Sequence, residues 1–381
     1  MIDRIQRNAV EKIFGRKAAV VLGPRQVGKS TLLHQMLDRQ DGVLWLNGDD
    51  QDVRDIFSDF SASKMNTILG KNTVIALDEA QRIPEIGLKL KIITDQMKGV
   101  KIITTGSSSL DLAAGLNESL TGRKREFILL PLTFKELVDT HGLLEEKRLL
   151  HRRMIYGYYP EVVTTHGEER DILHELVDSY LYKDILNLDL VAKPDKLNKL
   201  IQALAYQIGS QVSYNEIAQL VGLDSKTVER YIDILEKCFV VFRVNSFSRN
   251  LRNELKSSKK VFFWDCGIRN AVINNFAPLE NRSPAENGAL WENWIIAERL
   301  KFNNIRGIRV SPWFWRTKQQ SEIDYLEDKD GYLSAFEFKW NIKAKASLPA
   351  AFSASYPNSN FQVITPANLE NFICLDSIQD K

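Results

Sequence analysis

Residues Gly23, Pro24, Arg25, Gln26, Val27, Gly28, Lys29 and Ser30 satisfy the pattern G-x-x-x-x-G-K-[S/T] without a mismatch, and Thr31 after them is a further candidate for binding the nucleotide. The chemistry follows from the residue types. Glycines let successive backbone N–H groups turn inward around a phosphate, and a helix opening near Lys29 adds the positive end of its dipole. Lys29 has the reach to meet β and γ phosphates, and Ser30 offers a hydroxyl oxygen to Mg²⁺. Asp78 and Glu79 form a second candidate set, at the end of the apolar run Val74 to Leu77. Asp78 is read as part of the Mg²⁺ shell, and Glu79 as the group that orients and polarises an attacking water. Thr105, Ser107 and Ser108 end a third run, and Ser107 is chosen among them to sense the γ phosphate. Capping the following helix is the competing role for these serines.

A separate constellation stands near the end of the chain, where Asp324, Glu337 and Lys339 fall in "SEIDYLEDKDGYLSAFEFKW". Period 2 turns Phe336, Phe338 and Trp340 one way and Glu337 and Lys339 the other; Ile323 and Tyr325 likewise oppose Glu322 and Asp324. Two carboxylates on one face could bind Mg²⁺, and a lysine beside them could help an attacking water cleave a phosphodiester. Glu292 adds a carboxylate from a preceding amphipathic helix. The same alternation also describes a half-buried sheet with its charges turned to water.

Recognisable elements must hold these groups. "KAAVVLGPRQVGKSTLLHQML" reads as strand, loop and helix; "NTVIALDEA" and "VKIITTGSSS" read as buried strands with polar ends. Helical spacing dominates from "LPLTFKEL" to Pro194. A helix-turn-helix layout then follows, with helices Tyr214 to Val221 and Ser225 to Lys237 about a turn at Gly222. Lys226, Thr227 and Arg230 lie on the exposed face of its second helix. Between "CFVVFRV" and "KVFFWDCG", residues Arg249, Arg252, Lys256, Lys259 and Lys260 face a single acidic residue, Glu254, and suit the phosphates of DNA. A solvated hairpin or a protein-contact surface is the competing reading.

"GPRQVGKSTLL", "VIALDEAQRIPEIGLKLKIITDQ", "IITTGSSSLDL" and "SLTGRKREFILLPLTFKEL" together resemble the prokaryotic AAA-type ATPases that carry a winged helix and a C-terminal domain of restriction-endonuclease-like fold. The resemblance runs along nearly the whole chain. It implies an α/β protein with a doubly wound parallel sheet, a helical lid, ATP as substrate and a homo-oligomeric assembly. A neighbouring subunit's arginine would complete the nucleotide site; Arg123 is the candidate, with Arg125 beside it. Glu292, Asp324, Glu337 and Lys339 match the endonuclease pattern Glu, Asp, Glu-x-Lys in type and order. The expected divisions are an ATPase core at 1–135, a helical lid and linking helices at 136–200, a winged helix-turn-helix at 201–284 and an endonuclease-like domain at 285–381.

Length and composition agree with several domains rather than one, since 381 residues exceed the roughly 100 to 200 typical of a single domain. With 51 Lys and Arg against 49 Asp and Glu, the net charge of +2 leaves local clusters to decide whether a polyanion binds. Three scattered cysteines, Cys238, Cys266 and Cys374, suit buried thiols in a reducing compartment better than a disulfide framework. No apolar run reaches the roughly 18 residues of a membrane span. The expected setting is cytoplasmic, with DNA as partner.

Overall fold

Four short, largely apolar runs and the charged segment KREFI become the strands of one parallel sheet: β1 (Ala18–Leu22), β2 (Val43–Asn47), β3 (Val74–Asp78), β4 (Lys101–Gly106) and β5 (Lys124–Ile128), in the order β2-β3-β4-β1-β5. The computed structural model describes residues 2–107, 122–185, 191–248, 258–317 and 319–374. Every residue of β1 is buried, and so are the first four of β3, as a parallel sheet covered on both faces requires. Val20, Leu22, Ile75 and Leu77 pack there with Phe57, Leu90 and Ile93. Fully burying each such side chain contributes about 1.5–3 kcal/mol. Helices α1 (Gln6–Ile13), α2 (Lys29–Leu37), α3 (Gln51–Ser58), α4 (Ala62–Leu69) and α5 (Ile86–Gln96) connect and cover the strands.

The chain divides into two compact units: Met1–Pro131 with Lys237–Phe239, and Leu132–Glu236 with Val240–Lys381. The helices of the expected lid region belong by their contacts to the second unit. At its start, the Phe134 N–H donates to Glu298 at 2.7 Å, and the Phe134 ring meets Trp294 edge-on at 5.9 Å. Helices Tyr214–Val221 and Ser225–Lys237 have the expected bounds, with Gly222 left-handed between them at φ 71°. Ser213 caps the first through the Glu216 N–H, and Asp224 caps the second through the Thr227 N–H.

Segments expected as separate winged-helix and endonuclease-like domains share one seven-stranded sheet, ordered β12-β11-β10-β9-β7-β8-β6. Its members are β6 (Gln211–Val212), β7 (Val241–Ser246), β8 (Lys259–Phe263), β9 (Ser311–Arg316), β10 (Glu322–Lys329), β11 (Tyr332–Phe338) and β12 (Ser359–Ile364). The join is a short parallel pairing of β7 with β9, Asn245 opposite Trp313 and Ser246 opposite Phe314. Helix Pro284–Arg306 packs on this sheet, opened by the Ser283 cap with Pro284 in its first turn and closed by left-handed Gly307.

Strand β10 does not keep a clean period of 2. Its register against β9 shifts between Ile323 and Leu326, so Asp324 and Tyr325 stand where a regular ladder has one residue. Ile323 therefore packs with Trp315, Leu326, Leu333, Ala335 and Phe352, whereas Tyr325 packs with Phe336, Phe338 and Phe372. The alternation had put Ile323 and Tyr325 on one face; the bulge separates them. Among the described residues, no helix is long and apolar enough to cross a membrane.

Candidate functional site

The loop between β1 and α2 is held from below by backbone. A Cβ on Gly23 would lie 2.0 Å from the Leu129 carbonyl oxygen, so only glycine lets the loop rest on the end of β5. Arg4, itself buried, donates to the carbonyls of Val27 and Leu130, each at 2.7 Å, and ties the loop to the same segment. Gln26 and Gly28 both adopt positive φ, 58° and 90°, which reverses the chain into α2. Lys29 opens that helix, and its ammonium donates to the carbonyls of Gly23 at 3.0 Å and Pro24 at 2.8 Å. Burial lowers the Lys29 pKa from 10.5 to about 8, an effect that nearby Glu79 and Asp78 partly offset. Ser30 is half-buried at the helix start and Thr31 exposed; Arg25 is half-buried.

The polar ends of β3 and β4 are knitted together. Thr105 Oγ1 donates to Asp78 Oδ1 and accepts the Glu79 N–H at 3.1 Å, so one hydroxyl fixes both carboxylate-bearing residues. Glu79 holds φ 47°, and its carbonyl leaves no room for a side chain on Gly48, whose Cβ would stand 2.3 Å away. The Gln81 amide donates to Glu79 Oε2, and its carbonyl accepts the Ser107 N–H at 3.3 Å. Ser107 is buried and joined to Glu79 through Gln81, a residue the sequence reading passed over. The only hint was its spacing, two places after the glutamate on the short helical turn Ala80–Arg82. The donor set fits a nucleotide with Mg²⁺: a cationic loop for phosphates, with Ser30 and Asp78 to serve a metal that also binds phosphate oxygens and water.

Arg123 lies elsewhere. Its carbonyl accepts the Ala18 N–H at 3.0 Å, so it sits at the opposite end of the β1–β5 pair from Gly23, and its guanidinium pairs with Asp95 at 2.5 Å. Within one chain it does not reach the phosphate loop. Arg125 is exposed on β5. Ser108, Arg249, Arg252, Glu254 and Lys256 lie outside the described residues.

In the second unit, Glu292, Asp324, Glu337 and Lys339 do come together. The Phe338 N–H donates to Asp324 Oδ2 at 2.8 Å, and Lys339 Nζ lies 2.6 Å from Glu337 Oε1. Burial, joined by the charges of Glu292 and Glu337, pushes Asp324 up to about 8. Burial also raises Glu292, which Lys260 pulls back in part.

Lys260 is the residue that sequence reasoning misplaced. Read as a wing cation for DNA, it is 2% exposed, and its ammonium lies 2.8 Å from Glu292 Oε1 and 2.6 Å from Glu322 Oε1. Burial alone lowers a lysine, but Glu292, Glu322 and Asp324 outweigh it and hold Lys260 above the usual range. It is not available to a phosphate backbone, and it supplies the charge that a divalent cation would otherwise bring. Lys260 thus neutralises Glu292 and Glu322, while Lys339 pairs with Glu337. Among the described residues, no group of three or more His, Cys, Asp or Glu side chains is placed to hold a metal ion.

Of the other candidate DNA contacts, Lys226 and Arg230 are exposed on helix Ser225–Lys237. The Thr227 hydroxyl is engaged with Asp224 at 2.6 Å, in the helix cap. Lys259 pairs with Glu229 at 3.3 Å and stands over the Tyr214 ring. Arg243 fixes the hairpin to both helices through Glu236, Asp233 and the Tyr214 hydroxyl.

Residues 15–138 match a family model described as an AAA domain. Residues 147–279 and 287–372 match two models, each described as a domain of unknown function, DUF8612 and DUF4143. The chain is 25% identical to an uncharacterized protein of Mycobacterium tuberculosis over 329 residues, covering 85% of this chain and 70% of that protein. It is 27% identical to an uncharacterized protein of Haemophilus influenzae over 337 residues, covering 81% and 79%. A solved Walker-type ATPase of Pyrococcus abyssi aligns with TM-score 0.48 at 15% identity, over 72% of this chain and 96% of that one. The AAA match falls on the first unit, where the loop between β1 and α2 has the strand-loop-helix geometry of a phosphate-binding loop.

Proposed function

We propose that the chain is an ATP-hydrolysing AAA-type protein that acts on DNA, its nucleotide state coupled to the second unit. The observation that carries the ATPase reading is the network Asp78, Thr105, Glu79, Gln81 and Ser107 at the ends of β3 and β4, electrostatically coupled to Lys29. Residues Gly23 to Thr31 would cradle the phosphates of ATP, Ser30 and Asp78 would serve Mg²⁺, and Glu79 would polarise the attacking water. Ser107 would sense the γ phosphate through Gln81. Arg123, remote from its own loop, would serve that of a neighbouring copy in a homo-oligomer by exchanging its Asp95 partner for the phosphates. Steady-state hydrolysis by wild type and by Glu79→Gln tests the assignment. The variant should bind ATP with Mg²⁺ yet lose at least about 100-fold in kcat; hydrolysis at the wild-type rate would sink it.

DNA binding rests on Lys226 and Arg230, both exposed on helix Ser225–Lys237. Anisotropy titrations across salt concentrations check it, because phosphate contacts make log affinity fall linearly with log salt. Affinity indifferent to salt and to Lys226→Ala and Arg230→Ala would remove DNA from the reading. For the C-terminal cluster, Lys260 favours an alternative function, a nucleotide-dependent signalling or interaction ATPase with an inactive C-terminal domain, over an ATP-licensed Mg²⁺-dependent nuclease. Mg²⁺-dependent cleavage of linear, nicked or branched DNA, lost in both Asp324→Ala and Glu337→Ala, would reverse that preference.

A further inference from the structure

The first unit carries a second cationic feature, at the leading ends of its strands, opposite the phosphate loop. Three chain segments converge there: Gly15 to Lys17 entering β1, Lys98 to Lys101 entering β4, and Gly122 to Arg123 entering β5. These three strands are neighbours in the sheet, so their basic leading residues stand in a row, with strands about 4.8 Å apart. Between them lies a cleft of about 310 Å³. Gly15, Gly99 and Gly122 all have positive φ, 92°, 83° and 78°, and keep its rim bare of side chains. The space left by the missing Cβ of Gly15 is filled by the stem of Lys101, whose ammonium stands 5.8 Å from the centre of the Phe14 ring. Lys101 is thus placed rather than free to wander.

Five cations line the cleft: Arg16, Lys17, Lys98, Lys101 and Arg123, all exposed. Asp95 neutralises Arg123. No carboxylate pairs with the other four among the described residues, in a chain whose net charge is only +2. A discrete small anion is usually held by buried, forked or backbone donors; hydrated, exposed lysines suit a ligand that offers many phosphates and is bound by release of its counterions.

We infer that this cleft, formed by Arg16, Lys17, Lys98 and Lys101 at the leading ends of β1 and β4, is a binding track for the phosphate backbone of a nucleic acid. It is separate from the helix-turn-helix and lies on the ATPase unit itself. The inference rests on the DNA reading above and goes beyond it by assigning a second contact.

Fluorescence anisotropy with labelled duplex and single-stranded oligonucleotides, between about 50 and 200 mM salt, tests it using the full-length protein. The variant Arg16→Ala/Lys98→Ala/Lys101→Ala should reduce the slope of log affinity against log salt by roughly 2 to 3 units, while ATP hydrolysis without nucleic acid stays unchanged. The charge-preserving variant Arg16→Lys/Lys98→Arg/Lys101→Arg should keep the wild-type slope, which separates lost charge from lost fold. An unchanged slope in the triple alanine variant, with binding lost in Lys226→Ala/Arg230→Ala, overturns this inference alone. Loss of slope in the charge-preserving variant as well also overturns it. If wild type binds no nucleic acid at all, the inference and the DNA reading fall together.

Discussion

Lys260 Nζ lies 2.8 Å from Glu292 Oε1, joining β8 to the helix that carries the cluster's first carboxylate. The same ammonium meets Glu322 on β10. Removing it leaves carboxylates facing one another with little water to screen them. Lys260→Met should cost roughly 3–5 kcal/mol in urea unfolding, and Lys260→Met/Glu292→Gln should recover a measurable part. Equal stability of Lys260→Met and wild type would show that the pairing contributes nothing.

Lys29 makes ATP binding pH-dependent with a definite sign. In the free protein its pKa is lowered to about 8 by burial, so the loop lysine is mostly neutral above that pH. A phosphate beside it favours the charged form, so binding above about pH 8 must take up a proton. Affinity should then fall by up to about tenfold per pH unit, and stay flat below. Calorimetry in two buffers of different ionisation enthalpy at high pH reads the proton directly; release instead of uptake contradicts the assignment.

Gly23→Ala sets a methyl group against a carbonyl that cannot retreat, because the Leu129 N–H is bonded to Leu22 O at 2.7 Å. Thermal unfolding should shift down and ATP affinity should drop at least about tenfold. Wild-type affinity in this variant would mean that the loop does not rest on β5.

Gln81→Ala cuts the bridge between Glu79 and Ser107 while leaving both in place. With a net hydrogen bond worth about 0.5–1.5 kcal/mol, kcat should fall roughly 3- to 10-fold with little change in KM. A change confined to KM would place Gln81 in ground-state binding instead.

Cys266 should resist alkylation in the folded protein. Burial, with Asp265 next to it, pushes its thiol up to about 12, and Cys238 and Cys374 are buried too. Iodoacetamide at pH 8 followed by mass spectrometry should find the three unmodified until denaturant is added.

Much of this was legible from local pattern. The glycines and lysine of the phosphate loop, the apolar runs of β1, β3 and β4, and the two helices about Gly222 are set by neighbours within a few residues. The meeting of Glu292, Asp324, Glu337 and Lys339 was anticipated from their order, but the alternation invoked for Asp324 is not kept in β10. The place of Lys260 was not anticipated, since its partners lie 32 and 62 residues onward and only the shared sheet brings them together. Nor was the bulge at Asp324 and Tyr325, which no residue type announces. The joining of β7 to β9 spans two pairs of residues, too little to leave a periodic trace.

Gly23 and Leu129 leave no slack between the phosphate loop and the fifth strand. That strand starts at Lys124, next to Arg123 and the cationic cleft, and runs without interruption to the residue on which the loop sits. The proposed cationic track and the phosphate loop would therefore bear on opposite ends of one short strand.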